Sequence, residues 1–147
     1  MTNKYFLFST LLMLISPSCS YKFANETIIF QKYLDTVSHE KIPQNEHTYL
    51  LIATLRCSGC VENALMKISQ KINKESQTNI TLLTSNLSLV PESLGNKVKV
   101  LLDKDAGYEK LGIPIANTAM IKTFKGKIVK IRMINLDDTD KIVDEEF

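Results

Sequence analysis

Tyr49-Leu50-Leu51-Ile52-Ala53-Thr54-Leu55-Arg56-Cys57-Ser58-Gly59-Cys60-Val61 is the stretch from which the fold is read. Tyr49 to Leu55 is almost unbroken apolar sequence, the mark of a strand buried on both faces. From Val61 the period changes. Val61, Ala64, Leu65, Ile68 and Ile72 form one stripe, with Glu62, Lys67, Gln70 and Lys71 largely opposite, which predicts an amphipathic helix ending near Asn73. Cys57 and Cys60 therefore sit where a buried strand gives way to a helix.

That junction gives the cysteines their chemistry. The unpaired backbone N–H groups at a helix start carry partial positive charge. A thiolate held there is stabilised, so its pKa falls below the ~8.5 of a free cysteine. Cys57 at the tip would attack a disulfide, and Cys60, one turn further in, would resolve the mixed disulfide. Arg56 adds positive potential and Glu62, expected in the first turn, opposes it. Other readings stay open for the same pair. A structural disulfide across so short a loop removes little chain entropy. A zinc site needs four ligands, and beyond the cysteines only His39 and His47 remain, both expected in a solvated loop and at the wrong spacing for a finger. Two inert thiols are the last alternative.

Working outward, the 147 residues are 44% hydrophobic and 23% charged, a balance that excludes disorder and supports one domain with a real core. Lys+Arg 18 against Asp+Glu 16 gives +2, and with no basic tract no nucleic-acid partner is expected. Three cysteines are too few for a secreted disulfide framework. On the N-terminal side, Glu26–Ser38 carries Ile28, Ile29, Tyr33, Leu34 and Val37 at helical spacing, with Asn25 as the expected N-cap. On the C-terminal side, strands are expected at Asn79–Thr84 and Lys97–Leu102, with a turn of helix after Pro91 and another over Ala106–Leu111. A hairpin, Thr118–Phe124 and Lys127–Met133, turns at Lys125-Gly126, and Asp137–Glu146 closes the chain as a helix. The fold class is α/β, a small mixed sheet with helices on both faces. Asp103-Lys104-Asp105 begins like a calcium loop, but Tyr108 occupies the glycine place and Pro114 the glutamate place, so Asp103 is read as the end of a strand.

The first residues are an address. Lys4 is followed by the uncharged run Tyr5–Ile15, shorter than a membrane span and of signal-peptide length. Ser16-Pro17-Ser18-Cys19 resembles the lipobox of bacterial lipoproteins, in which the cysteine is acylated and becomes the first mature residue. Cys19 is therefore the expected lipidation site, and acylation would remove a free exported thiol. The expected organisation is a lipoprotein signal peptide over 1–18, a tether and N-terminal helix over 19–47, and the folded domain over 48–147.

From about Thr48 to Phe147 the chain resembles the thioredoxin-like superfamily, especially membrane-tethered thiol–disulfide interchange proteins and redoxins of bacterial envelopes. The strand leading into Cys57-Ser58-Gly59-Cys60 carries the likeness, and Asp103, Tyr108, Gly112, Ile113, Pro114 and Gly126 match the family's later places. Arg56 stands where the family usually has tryptophan, and Ser58-Gly59 lacks the common proline or histidine. The family's cis-proline place falls near Asn117 or Thr118, the candidates for the substrate-binding edge. The resemblance implies a thioredoxin-like α/β fold and a redox-active Cys57–Cys60 disulfide without cofactor or resident metal. The expected partners are protein thiols and disulfides of the envelope, with the membrane engaged through the lipid anchor. The protein would face the periplasm or the cell surface, and the absence of aspartate after Cys19 points to the outer membrane by analogy with bacterial sorting rules. Residues 53–61 also resemble the heavy-metal-associated domain, with Leu55 at its usual methionine place, which keeps a copper-binding role open for the same cysteines. A non-catalytic surface lipoprotein is the third reading.

Overall fold

The computed structural model describes residues 21–52, 58–75, 79–112, 118–134 and 139–147. Helix α1 (Ala24–Ser38) leads into β1 (His47–Ile52), α2 (Ser58–Glu75) and β2 (Ile80–Thr84). A short helix α3 (Glu92–Gly95) precedes β3 (Lys99–Leu102), a 3-10 turn spans Gly107–Lys110, and β4 (Thr118–Phe124), β5 (Lys127–Ile134) and α4 (Thr139–Glu146) follow.

The five strands form one mixed sheet in the order β3-β2-β1-β4-β5. β1 runs parallel to β2, and β2 parallel to β3, while β4 is antiparallel to both β1 and β5. β1 is thus the central strand, which explains its continuous apolar sequence. Side chains alternate across the pleat. Leu50, Ile52, Leu82 and Met120 meet α2, α3 and α4, whereas Tyr49, Leu51, Leu83 and Ile121 meet α1. The stripe read from Val61 to Ile72 is buried along its whole length. Helices cover both faces of the sheet, as expected.

The boundaries differ in instructive places. α1 begins at Ala24, so Asn25 lies inside the helix and does not cap it. The first turn is closed by the backbone alone, with the Thr27 N–H donating to the Phe23 carbonyl at 2.9 Å. The helix ends at His39 in the left-handed region (φ 56°), where the His39 N–H returns to the Asp35 carbonyl. α1 also packs Phe30, Tyr33 and Leu34 into the core, so it belongs to the same body as the sheet it precedes in sequence. α2 begins at Ser58, one residue after Cys57 and three before Val61. Glu62 therefore lies beyond the first turn, which holds no acid. His47 is not a solvated loop residue. It opens β1 half-buried, with Nε2 at 2.9 Å from the Thr81 hydroxyl, and burial, helped by the nearby Lys99 charge, lowers its pKa. The hairpin turns as expected: Lys125 (φ 51°) and Gly126 (φ 71°) are both left-handed, the geometry that matches the strand twist.

Candidate functional site

The three parallel strands all finish at one edge of the sheet, at Ile52, Thr84 and Leu102, and antiparallel β4 begins there at Thr118. In open α/β sheets, ligands bind outside the carboxyl ends of the strands. The β1–α2–β2 crossover joins two parallel strands, so α2 must start at that edge and run back across the face. Cys60 lies in the first turn of α2. Cys57, the residue immediately before the helix, lies outside the described residues, as do Asn117 and the lipidation candidate Cys19.

Thr118 is brought to the same edge. It pairs with Ile52, the last described residue of the strand that leads to the cysteines. Its side chain is 1% exposed, and its hydroxyl has no hydrogen-bond partner among the described residues. An unmatched buried hydroxyl costs free energy, so such a group merits a reason for being there.

A buried polar chain braces this edge. The Tyr108 hydroxyl donates to the Ile52 carbonyl at 2.6 Å. The Tyr108 N–H donates to Asp103 Oδ2 at 3.2 Å, and the Tyr33 hydroxyl donates to the same oxygen at 2.9 Å. Asp103 follows β3, as the sequence reading expects of a strand-ending aspartate, and it is buried. The strand ends are tied together further by the Asp103 N–H, which donates to the Thr84 carbonyl at 2.9 Å. Burial raises the Tyr33 pKa, and the Asp103 charge and hydrogen bond raise it further. Tyr108 is raised too, chiefly by burial. Both hydroxyls therefore remain donors well above neutral pH.

The local backbone is built for this contact. Ala106 adopts a left-handed conformation (φ 46°), which turns the chain so that Tyr108 meets Asp103. Gly107 lies against this pair: a Cβ there would stand in ordinary contact with Asp103 Oδ2 at 3.4 Å and the Tyr33 ring at 3.5 Å. Tyr33 is the member that sequence reading missed. Its helical spacing marks it as core, and nothing local says that its hydroxyl reaches a residue seventy positions away.

Among the described residues, no group of three or more His, Cys, Asp or Glu side chains is arranged to hold a metal ion. No described helix is long and apolar enough to cross a membrane.

No protein-family model matches the chain, and no curated protein matches it. Among solved structures it is similar to the pneumococcal exposed lipoprotein thioredoxin Etrx1 from Streptococcus pneumoniae strain TIGR4, at 18% identity. That likeness covers 69% of this chain and 85% of the other, with a TM-score of 0.40.

Proposed function

We propose that this chain is a thioredoxin-like thiol–disulfide oxidoreductase, held by a lipid at Cys19 in the bacterial envelope and acting through Cys57 and Cys60. The observation that carries the proposal is the start of α2 at Ser58, directly after Cys57 and with no acid in its first turn. Helix-start amides lower a thiol pKa. Further support comes from the strand order, which puts the origin of α2 at the carboxyl edge of a central strand. The bracing of that edge by Asp103 and Tyr108, both matched places of the family resemblance, agrees with it.

The reaction follows from the two sulfurs. The Cys57 thiolate attacks one sulfur of a substrate disulfide, forming a mixed disulfide and expelling the other substrate sulfur as a thiolate. The Cys60 thiolate then attacks the Cys57 sulfur, releasing the second substrate thiolate and leaving a Cys57–Cys60 disulfide. Two electrons pass to the substrate, and reversal of both steps oxidises a substrate dithiol. The substrate strand would be received beside Thr118, where β4 begins, with Asn117 as the neighbouring candidate in the sequence.

The test is an insulin-type reductase assay with both single variants. Cys57→Ser abolishes turnover, whereas Cys60→Ser accumulates mixed disulfides that a reducing agent releases. Unchanged turnover in both variants overturns the reading.

A further inference from the structure

The molecule has two poles, and the lipid-anchored reading above concerns only one of them. β1 starts at His47, paired with Thr123 beside the hairpin turn, and ends at Ile52, paired with Thr118 at the dithiol edge. At about 3.3 Å per residue, the poles are separated by roughly 17 Å of strand. The start of α1 lies at the hairpin pole, because the Ile128 N–H donates to the Thr27 hydroxyl at 3.1 Å. The chain that descends from Cys19 therefore enters the fold at the end opposite the cysteines.

The surface at that pole has an unusual makeup. Lys127 lies 5.5 Å from the Tyr21 ring centre, Lys125 5.3 Å from Phe124, and Lys22 5.2 Å from Phe23. Phe124 is 45% exposed at the hairpin tip, and Ile28 is 69% exposed on the first turns of α1. Aromatic rings flanked by lysines suit the headgroup layer of a bilayer, where rings bury and ammonium groups reach phosphates. Glu26 and Glu46 lie at the same pole and offset part of its positive charge, so the face relies on the rings together with Lys22, Lys125 and Lys127.

From these contacts we infer that the hairpin tip and the start of α1 form a lipid-docking face, with Lys22, Lys125 and Lys127 on anionic headgroups and Tyr21 and Phe124 at the interface. The inference rests on the anchored reading for its biological setting and adds the orientation, with the dithiol edge presented away from the membrane. The lipid at Cys19 holds the chain at the membrane in that reading, and this face fixes how the fold sits against it.

The test uses the full chain as processed in the bacterium, reconstituted on vesicles of phosphatidylcholine alone or mixed with phosphatidylglycerol, and footprinted with hydroxyl radicals. Tyr21 and Phe124 are protected on the anionic vesicles and less so on neutral ones, whereas Leu102 at the dithiol edge stays reactive on both. Each lysine at an anionic surface shifts the docked-to-free ratio by roughly fivefold. K125E/K127E therefore lowers protection on the anionic vesicles by about an order of magnitude or more in that ratio. Protection of Leu102 with Tyr21 and Phe124 still reactive, or no dependence on phosphatidylglycerol, overturns the docking face. Palmitate incorporation separates the two readings. A chain without palmitate that still protects Tyr21 and Phe124 keeps the face and defeats the anchor, and an acylated chain that leaves them reactive does the reverse.

Discussion

Tyr33 connects two parts of the molecule that are far apart in sequence. Its ring fills the core between α1 and the sheet, and its hydroxyl donates to Asp103, which also receives the Tyr108 N–H. Tyr33→Phe keeps the ring and deletes one hydrogen bond to a charged acceptor, so it costs about 1.5–3 kcal/mol at neutral pH by urea unfolding. The pH dependence has a definite sign. The folded Tyr33 pKa is raised above its ordinary value of 10.0, first by burial and then by Asp103. Above that ordinary value the unfolded chain loses a proton that the folded chain keeps, so stability is full below pH 10 and falls as pH rises beyond it. Tyr49 and Tyr108 are raised as well, chiefly by burial, and act in the same direction. Tyr33→Phe therefore flattens the alkaline decline while lowering the neutral plateau, and an alkaline limb identical to that of the parent chain contradicts this assignment. The ring's burial was legible from its helical spacing. The hydroxyl's partner was not, because a hydrogen bond across the fold leaves no local pattern.

At the scale of elements, periodicity carried most of the information. The stripe from Val61 to Ile72, the apolar run before Ala53 and the glycine turn at Gly126 each reported their own geometry, since each is a local requirement of packing or backbone twist. Helix starts were less legible. Asn25 is a good capping residue that the fold does not use, and α2 begins at Ser58 because α2 continues back beyond the apolar stripe that marks its buried face. The attachment of α4 was hidden for another reason. Glu146 looks like one acid in an exposed tail, yet its carboxylate is buried against Lys122, Lys130 and Arg132 from the two hairpin strands. Burial pushes the Glu146 carboxyl upward, but the hydrogen bonds from these cations outweigh it and hold the pKa at about 2. The stabilisation is therefore complete above the ordinary carboxylate range and is lost as pH falls from about 4.5 towards 2. Glu146→Gln keeps the shape and leaves the cations partly unmatched, costing about 1–3 kcal/mol. Urea midpoints measured across that acid window decline less steeply in the variant, and amide exchange in α4 quickens. Unchanged exchange there would show that the latch does not hold the helix.

The whole molecule is one sheet with a core on each face, and the two cores are built from different stretches of chain. α2 and α4 close one, and α1 closes the other. Sequence order invites a division at the loop after α1, because the apolar strand and the cysteines begin beyond it. Packing argues against treating α1 as separable: Leu34 and Leu65 are both fully buried, one on each face of the same central strand. Removing either side chain leaves a cavity next to β1, and a buried Leu→Ala change costs about 2–5 kcal/mol. Leu34→Ala and Leu65→Ala therefore shift the main urea transition by comparable amounts, each in a single cooperative step. If α1 were an appendage, Leu34→Ala would leave the main transition in place and produce a separate early loss of helix. The same comparison bears on how the site is carried. The polar chain from Tyr33 through Asp103 and Tyr108 ends on the Ile52 carbonyl, so loosening α1 removes one of the supports of the strand that leads to Cys57. Leu34→Ala consequently raises the rate at which Cys57 and Cys60 react with a bulky thiol reagent as well as lowering stability. Leu65→Ala, compared at equal residual stability, isolates the part of that increase due to the α1 face.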